Sequence, residues 1–189
     1  RVFVAYSGGL DSSVLLHAVC SLQLEIPVFA IHIHHGLSKN ADQWLEHCQA
    51  SCDQYEVEVF AHKVNLPIQK NGQVSGLEQA ARQARYQVFE QHLQAGDVLL
   101  MAHHQDDQIE TFMMRLMRGS GLTGLTAMDM SRSLGKGLLW RPLLNSSREQ
   151  IEAYAAQHCV QHVEDDSNTN TNFDRNGCWS ANIIRLVHR

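Results

Sequence analysis

The sequence predicts an α/β domain: a parallel five-stranded sheet with helices on both faces. Three observations carry that expectation. Short runs rich in β-branched and aromatic residues alternate with helical periodicities from Val2 to His158. The chain has 189 residues, 44% of them hydrophobic, which suits one domain with a substantial core. The segments loaded with Gly, His and acids fall after strands, where parallel sheets place their ligands.

The first strand runs from Val2 to Tyr6, and "SGGLDSSVLLHAV" turns it into a helix with Val14, Leu15, Ala18 and Val19 at helical spacing. "PVFAIHIHHG" from Pro27 reads as the second strand, alternating at Phe29, Ile31 and Ile33 and ending in a glycine turn. Ala41 to Tyr55 is expected to be helical through Trp44, Leu45 and Cys48. "VEVFAHKV" from Val57 is the third strand, Pro67 to Gly76 a polar loop, and "SGLEQAARQARYQVFEQHL" from Ser75 a long amphipathic helix. "DVLLMAHH" from Asp97 is the fourth strand, Gln105 to Arg118 a helix, and "GLLWRPLL" from Gly137 a short fifth strand. Ser147 to His158 is the last helix, capped by Ser146 or Ser147. "EDDSNTNTNFDRN" from Glu164 is polar enough to expect a loop.

Composition excludes several classes. No apolar stretch approaches membrane-spanning length, so no membrane partner is expected. The five cysteines, Cys20, Cys48, Cys52, Cys159 and Cys178, include no C-x-x-C pair, which argues that most are reduced core thiols. The chain starts directly on its first strand, which reads as a cytoplasmic protein or one trimmed at its N-terminus. A net charge of −5 does not suit nucleic acid held across the whole surface, so any such contact is local. Basic residues gather at Arg82 and Arg85, at Arg115 and Arg118, and at Arg132, Lys136, Arg141 and Arg148, where scattered surface charge is the default reading.

The bend at Ser7–Gly8–Gly9 has a chemistry of its own. Glycines let a ligand touch backbone, and the first N–H groups of the following helix present partial positive charge, which together make an anion cradle. Capping of the helix by Asp11 or Ser12 is the plainer explanation. The loop has no Lys, so it is neither G-x-x-x-x-G-K-[ST] nor G-x-G-x-x-G. Backbone amides and the hydroxyls of Ser7, Ser12 and Ser13 must do the binding, and Asp11 would repel phosphate unless a cation such as Mg²⁺ lay between. The pattern implies a metal-bound nucleotide.

"MAHHQDDQIETFMMRLMRGSGLTGL" from Met101 puts Asp107 and Glu110 on one face at a helix start. Acids in a first turn also favour the helix dipole. Two histidines just before them suit metal ligation, or recognition of a cationic group and proton transfer.

SGGLDS resembles the PP-loop of the ATP pyrophosphatases, which cleave ATP between its α and β phosphates. The ordered set SGGLDSSVLL, HIHHGL, LEQAARQARY, AHHQDDQIET, RLMRGSGLTGL, RPLL and EDDSN…DRN, over residues 2–176, resembles the N-terminal catalytic domain of the tRNA(Ile)-lysidine synthetase family. The resemblance implies a Rossmann-like sheet of the adenine nucleotide alpha hydrolase type. It implies a domain over 1–176, then an atypical tail over 177–189 with later family domains absent. It also implies ATP, Mg²⁺, free L-lysine and tRNA(Ile) with a CAU anticodon as reactants, a cytoplasmic setting, and room for a homodimer. Lysine would be ligated to carbon 2 of the wobble cytidine through an adenylated intermediate, with release of AMP and pyrophosphate.

Site roles carry over with the motifs. Ser7, Gly8, Gly9, Leu10, Asp11 and Ser12 would bind ATP, Asp11 through Mg²⁺. Asp107 and Glu110 would hold the lysine, with Arg175 for its carboxylate. Arg82 is the candidate for charge on the α phosphate, while Arg85 is open to pairing with a helix neighbour. His103 is open to three roles: deprotonating the amine, contacting ATP, or satisfying the fold. A thiolation enzyme of the same superfamily, a metal-dependent hydrolase assembled from His32, His34, His35, His103, His104 and Asp107, and a nucleotide-binding module without catalysis are the rival readings.

Overall fold

The computed structural model of the chain describes residues 1–34, 41–64, 77–119 and 126–163. The elements are β1 (Val2–Ala5), α1 (Leu10–Ser21), β2 (Val28–His34), α2 (Ala41–Gln54), β3 (Glu58–Lys63), α3 (Leu77–His92), β4 (Val98–Leu100), α4 (Gln105–Met117), β5 (Ser131–Leu134), β6 (Gly137–Trp140) and α5 (Arg148–Gln157). Among the described residues the sheet has six strands in the order β3-β2-β1-β4-β6-β5. Five of these strands pair in parallel, as expected, in registers such as Val4↔Ala30, Val4↔Leu100 and Leu99↔Leu139.

The sixth strand is an addition that the sequence reading lacked. β5 pairs antiparallel with β6, Leu134 opposite Gly137 across the two-residue loop Gly135–Lys136, and Gly135 has φ +57°. In Ser131–Leu134 only Leu134 is buried, so no apolar alternation marks the strand; its signal is the glycine-bracketed turn. Gly137 is needed where β6 starts, because a Cβ there would lie 2.7 Å from the Asp97 carbonyl oxygen.

Alternation along β1 divides the core between the sheet's two faces. Val2 and Val4 pack with Leu15, Leu16 and Val19 of α1 and Cys48 and Cys52 of α2. Phe3 turns the other way, toward Phe89 of α3, Leu93 just after it, and Leu134 and Leu139 of the hairpin. α5 closes onto α1 through Val14, Ile151 and Ala155, and Ser147 caps it in a reciprocal pair with Gln150. Helices thus cover both faces, which buries the apolar strands that a parallel sheet requires.

The chain leaves β1 toward β2 and β3, then crosses back to lay β4 on the other side of β1. That reversal is a topological switch point, and its two flanking connections are Tyr6–Gly9 and Met101–His104. Among the described residues, no helix is long and apolar enough to cross a membrane.

Candidate active site

The β1–α1 connection is held by its own serines. Gly8 has φ +85°, and a Cβ there would lie 2.9 Å from the buried Sγ of Cys48, so only glycine fits. Gly9 is the N-cap residue in extended conformation, with no side-chain cap. The Asp11 and Ser12 capping explanation is therefore not realised. Instead the Ser12 hydroxyl donates to the Gly9 carbonyl at 3.0 Å and lies 3.0 Å from the Ser7 hydroxyl, and the Ser13 hydroxyl donates to the Gly8 carbonyl at 3.3 Å. Ser12 is buried, so its hydroxyl shapes the loop while its amide stays in the first turn with those of Leu10 and Asp11. The Leu10 side chain packs toward α5. Backbone amides and the exposed Ser7 hydroxyl remain there to meet an anion.

Asp11 is the acid at the mouth of this loop. Its Oδ1 accepts from Arg148 Nη1 of α5 at 3.0 Å, and its Oδ2 lies 3.8 Å from His104 Nε2. The same His104 Nε2 lies 3.7 Å from Asp107 Oδ2. His104 is the N-cap of α4: its Nδ1 accepts from the Asp106 amide at 3.3 Å, and its own amide donates to Asp107 Oδ2 at 2.8 Å. The helix-start explanation of Asp107 is thus realised in a capping box. Burial pushes the Asp11 carboxyl above the usual carboxylate range; Arg148 and His104 pull it back, and Asp107 and Asp106 push with burial. A carboxylate crowded by other acids is a fit for a cation, which is the chemistry expected of Mg²⁺ here.

His103, one residue earlier, faces elsewhere. Its Nδ1 accepts from Arg141 Nε at 3.2 Å, and Arg141 Nη1 also donates to the Asp129 carbonyl at 2.6 Å. Burial drives the His103 imidazole down to about 4; Asp107 opposes this, and Arg141, Arg85 and Arg82 add to it. A group so acidic is a poor base for an amine proton, which weakens the deprotonation role. Arg82 and Arg132 each place their guanidinium carbon 5.1 Å from the centre of the Tyr86 ring. Burial pushes the Tyr86 phenol up, but Arg82, Arg132 and Arg141 outweigh it and the net shift is downward.

The structure therefore brings Asp11 and Asp107 together through His104, with Glu110 one turn further along α4. Arg82 instead joins the arginines around Tyr86 and His103. Arg175 and His35 lie outside the described residues, as do residues 120–125 and 164–189. Arg148, Arg141, Arg132 and Tyr86 were not read as site residues. Position was their signal, since Arg141 follows a strand and Arg148 starts a helix at the same rim.

The described members of the rival histidine centre, a set without His35, do not assemble into one. Among the described residues no three His, Cys, Asp or Glu are placed to hold a metal. His32 is buried with its Nδ1 3.0 Å from the Tyr6 carbonyl oxygen, a satisfied structural histidine. Cys48 and Cys52 are buried and pushed up to about 12, so neither supplies the thiolate that sulfur transfer uses.

Comparison with known proteins agrees with the fold. The sequence matches the family described as the PP-loop domain over residues 1–183. It is 48% identical over 180 residues to a tRNA(Ile)-lysidine synthase of Proteus mirabilis, covering 93% of this chain and 40% of that protein. It is 50% identical over 193 residues to a tRNA(Ile)-lysidine synthase of Yersinia pestis, covering 100% of this chain and 41% of that protein. The chain thus spans about 40% of the length of these curated relatives. In three dimensions it is similar to a U34-tRNA thiolase of Methanococcus maripaludis, with TM-score 0.62 and 17% identity over 86% of this chain and 58% of that one. It is also similar to an NH3-dependent NAD synthetase of Campylobacter jejuni, with TM-score 0.56 and 18% identity over 98% of this chain and 70% of that one. These two likenesses concern the fold.

Proposed function

Because the chain belongs to the PP-loop domain family, we propose that residues 1–176 are the ATP-using catalytic domain of a cytoplasmic ligase. It joins L-lysine to carbon 2 of the wobble cytidine of tRNA(Ile) with a CAU anticodon. The observation that carries the reading is the meeting of the two rim segments: Asp11 from the β1 loop and Asp107 from the start of α4 share one imidazole, that of His104, at 3.8 and 3.7 Å. A loop suited to phosphates thereby adjoins a helix suited to a cationic amine. A reaction in which an adenylate is made and then consumed in place needs that adjacency.

The cytosine O2 attacks the α phosphorus, the bond to the β-phosphate oxygen breaks, and pyrophosphate leaves. The amides around Gly8, Gly9 and Ser12, with Ser7, hold the leaving pyrophosphate, and the helix start lends its partial positive charge. Asp11 would hold Mg²⁺, which neutralises phosphate charge. Arg82 stands for the charge that grows on the α phosphate. In the second step the lysine ammonium loses a proton to solvent, its nitrogen bonds to carbon 2, the C2–O bond breaks with AMP as leaving group, and the nitrogen gives a second proton to solvent. Asp107 and Glu110 hold the amine in place, and Arg175 takes the carboxylate.

ATP–pyrophosphate exchange tests the reading. Exchange should require tRNA with CAU but not lysine, and lysine should then speed net AMP release. Exchange that proceeds without tRNA, or tRNA-dependent exchange that lysine leaves unchanged in AMP yield, would overturn it.

A further inference from the structure

Arg141 is a charged residue in a buried place. It is 3% exposed, follows β6 directly, and makes no ion pair among the described residues. Burying a guanidinium without a counter-charge is costly, and burial lowers its affinity for the proton, though not enough to deprotonate an arginine. Its Nη1 donates to the Asp129 carbonyl at 2.6 Å, its backbone amide donates to the Met130 carbonyl at 2.8 Å, and its Nε donates to His103 Nδ1 at 3.2 Å. These bonds anchor it to the segment leading into β5. A side chain fixed this firmly dictates terms to its weaker partner.

A guanidinium carries donors only. The ring nitrogen that receives its N–H must therefore be unprotonated, and a neutral imidazole then carries its single proton on the other nitrogen. We infer that Arg141 is a positioning residue that locks His103 in the Nε2–H form, so that His103 offers a hydrogen bond to an anionic oxygen instead of taking a proton. That the oxygen belongs to a phosphoryl group rests on the reading of the reaction given above; the lock itself does not.

The surroundings agree with a donor aimed at an anion. The groups that face His103 are Arg141 after β6, Arg82 and Arg85 on α3, and Asp107 on α4, three cations against one acid. Burial and those cations keep the ring neutral at neutral pH. Tyr86 adds to the same region, since Arg82 and Arg132 are gathered on its ring. An incoming phosphoryl oxygen would supply the counter-charge that Arg141 lacks, and it would meet a fixed donor requiring no reorientation during the reaction.

Histidine-selective ¹⁵N NMR on this chain tests the lock, with His103 assigned by its loss in His103→Gln. At pH 7 the His103 ring should show an unprotonated Nδ1 and a protonated Nε2. Arg141→Met should mix the tautomers and move the titration of His103 upward, and Arg141→Gln, whose amide can accept as well as donate, gives a second reading of the same change should the first variant fail to fold. A protonated Nδ1 in the wild type, or a tautomer indifferent to either substitution, overturns the proposal. Adenylation assays add a second arm. His103→Gln, which can place an N–H near the Nε2 position, should stay within about 10-fold of wild type, and His103→Ala should lose about 10²- to 10³-fold. Equal loss in both variants overturns the donor role. Should the wild type form no adenylate, the reaction reading fails by itself, and the NMR result still decides the lock.

Discussion

Where β4 ends, two successive histidines enter opposite surroundings. His104 lies 3.8 Å from Asp11 and 3.7 Å from Asp107, in a region supplied by the first-strand loop, α4 and α5. His103 receives a hydrogen bond from Arg141 at 3.2 Å and stands in the field of Arg82 and Arg85, in a region supplied by α3 and the β5–β6 hairpin. Extended backbone turns successive side chains to opposite sides. One dipeptide at a switch point can therefore border an acidic region and a basic one. A reaction that joins a cationic amine to an adenylated base has use for both.

The strongest way to break this contrast is at Asp11. Asp11→Asn should lower Mg²⁺-dependent pyrophosphate release on the order of 10³-fold. The same variant should melt at a higher temperature without nucleotide. The Asp11 carboxyl is raised above its unfolded value, so its contribution falls as pH rises through that window, and at pH 7 the ionised group is a net burden on folding. Measured turnover and a melting curve check both halves. A variant that loses stability while keeping turnover per folded molecule would mean that Asp11 is structural.

Glu110→Gln sharpens the acidic side. In a full-length enzyme it should weaken lysine use by about 1.5 to 3 kcal/mol, the cost of one charge-assisted hydrogen bond, while adenylation survives. Single-turnover assays separate the two steps, and equal loss in both would assign Glu110 to ATP or metal instead.

On the basic side the expected effect is one of pH. His103 is lowered from 6.5 to about 4, so the unfolded chain binds its proton first, and stability drains away as pH falls between those values. His103→Gln should flatten that part of the curve in denaturant titrations from pH 7 to pH 4. An unchanged slope would show that His103 is far less buried in solution.

The smallest effect belongs to Arg148, which is 39% exposed beside Asp11. Arg148→Ala should change stability by less than about 1 kcal/mol, as exposed ion pairs do. It should also lower the Mg²⁺ concentration required for ATP binding, because a competitor for Asp11 is gone. Calorimetric titration of Mg²⁺ with ATP present reads this directly.

The two regions were not equally legible in the amino-acid sequence. The parallel strands, the switch point and the Asp11 and Asp107 segments announce themselves, because apolar runs, Gly-Gly and paired acids are local signals. The basic region is assembled from residues far apart in the chain, with Tyr86, Arg132 and Arg141 brought together by β5, an edge strand whose polar Ser131–Arg132–Ser133 carries no apolar alternation. Arginines at such positions look like surface charge until the strand order is known. The pairing of His103 with His104 misled for a related reason, since adjacency in sequence suggested adjacency in role.

The floor beneath the β1 loop has a kinetic consequence. Cys48 sits under Gly8 with no exposure and a thiol pushed up to about 12, so a thiol reagent reaches it only when the loop and α2 part. Cys159, by contrast, is exposed and should react at once. The delay between labelling of Cys159 and labelling of Cys48, followed by peptide mass to separate them from the other cysteines, is a clock for local opening, and any nucleotide that seals the loop should lengthen it by about the factor 1 + L/Kd, where L is the free nucleotide concentration. The chain thus carries its own stopwatch for ligand binding, readable by mass without a substrate turning over.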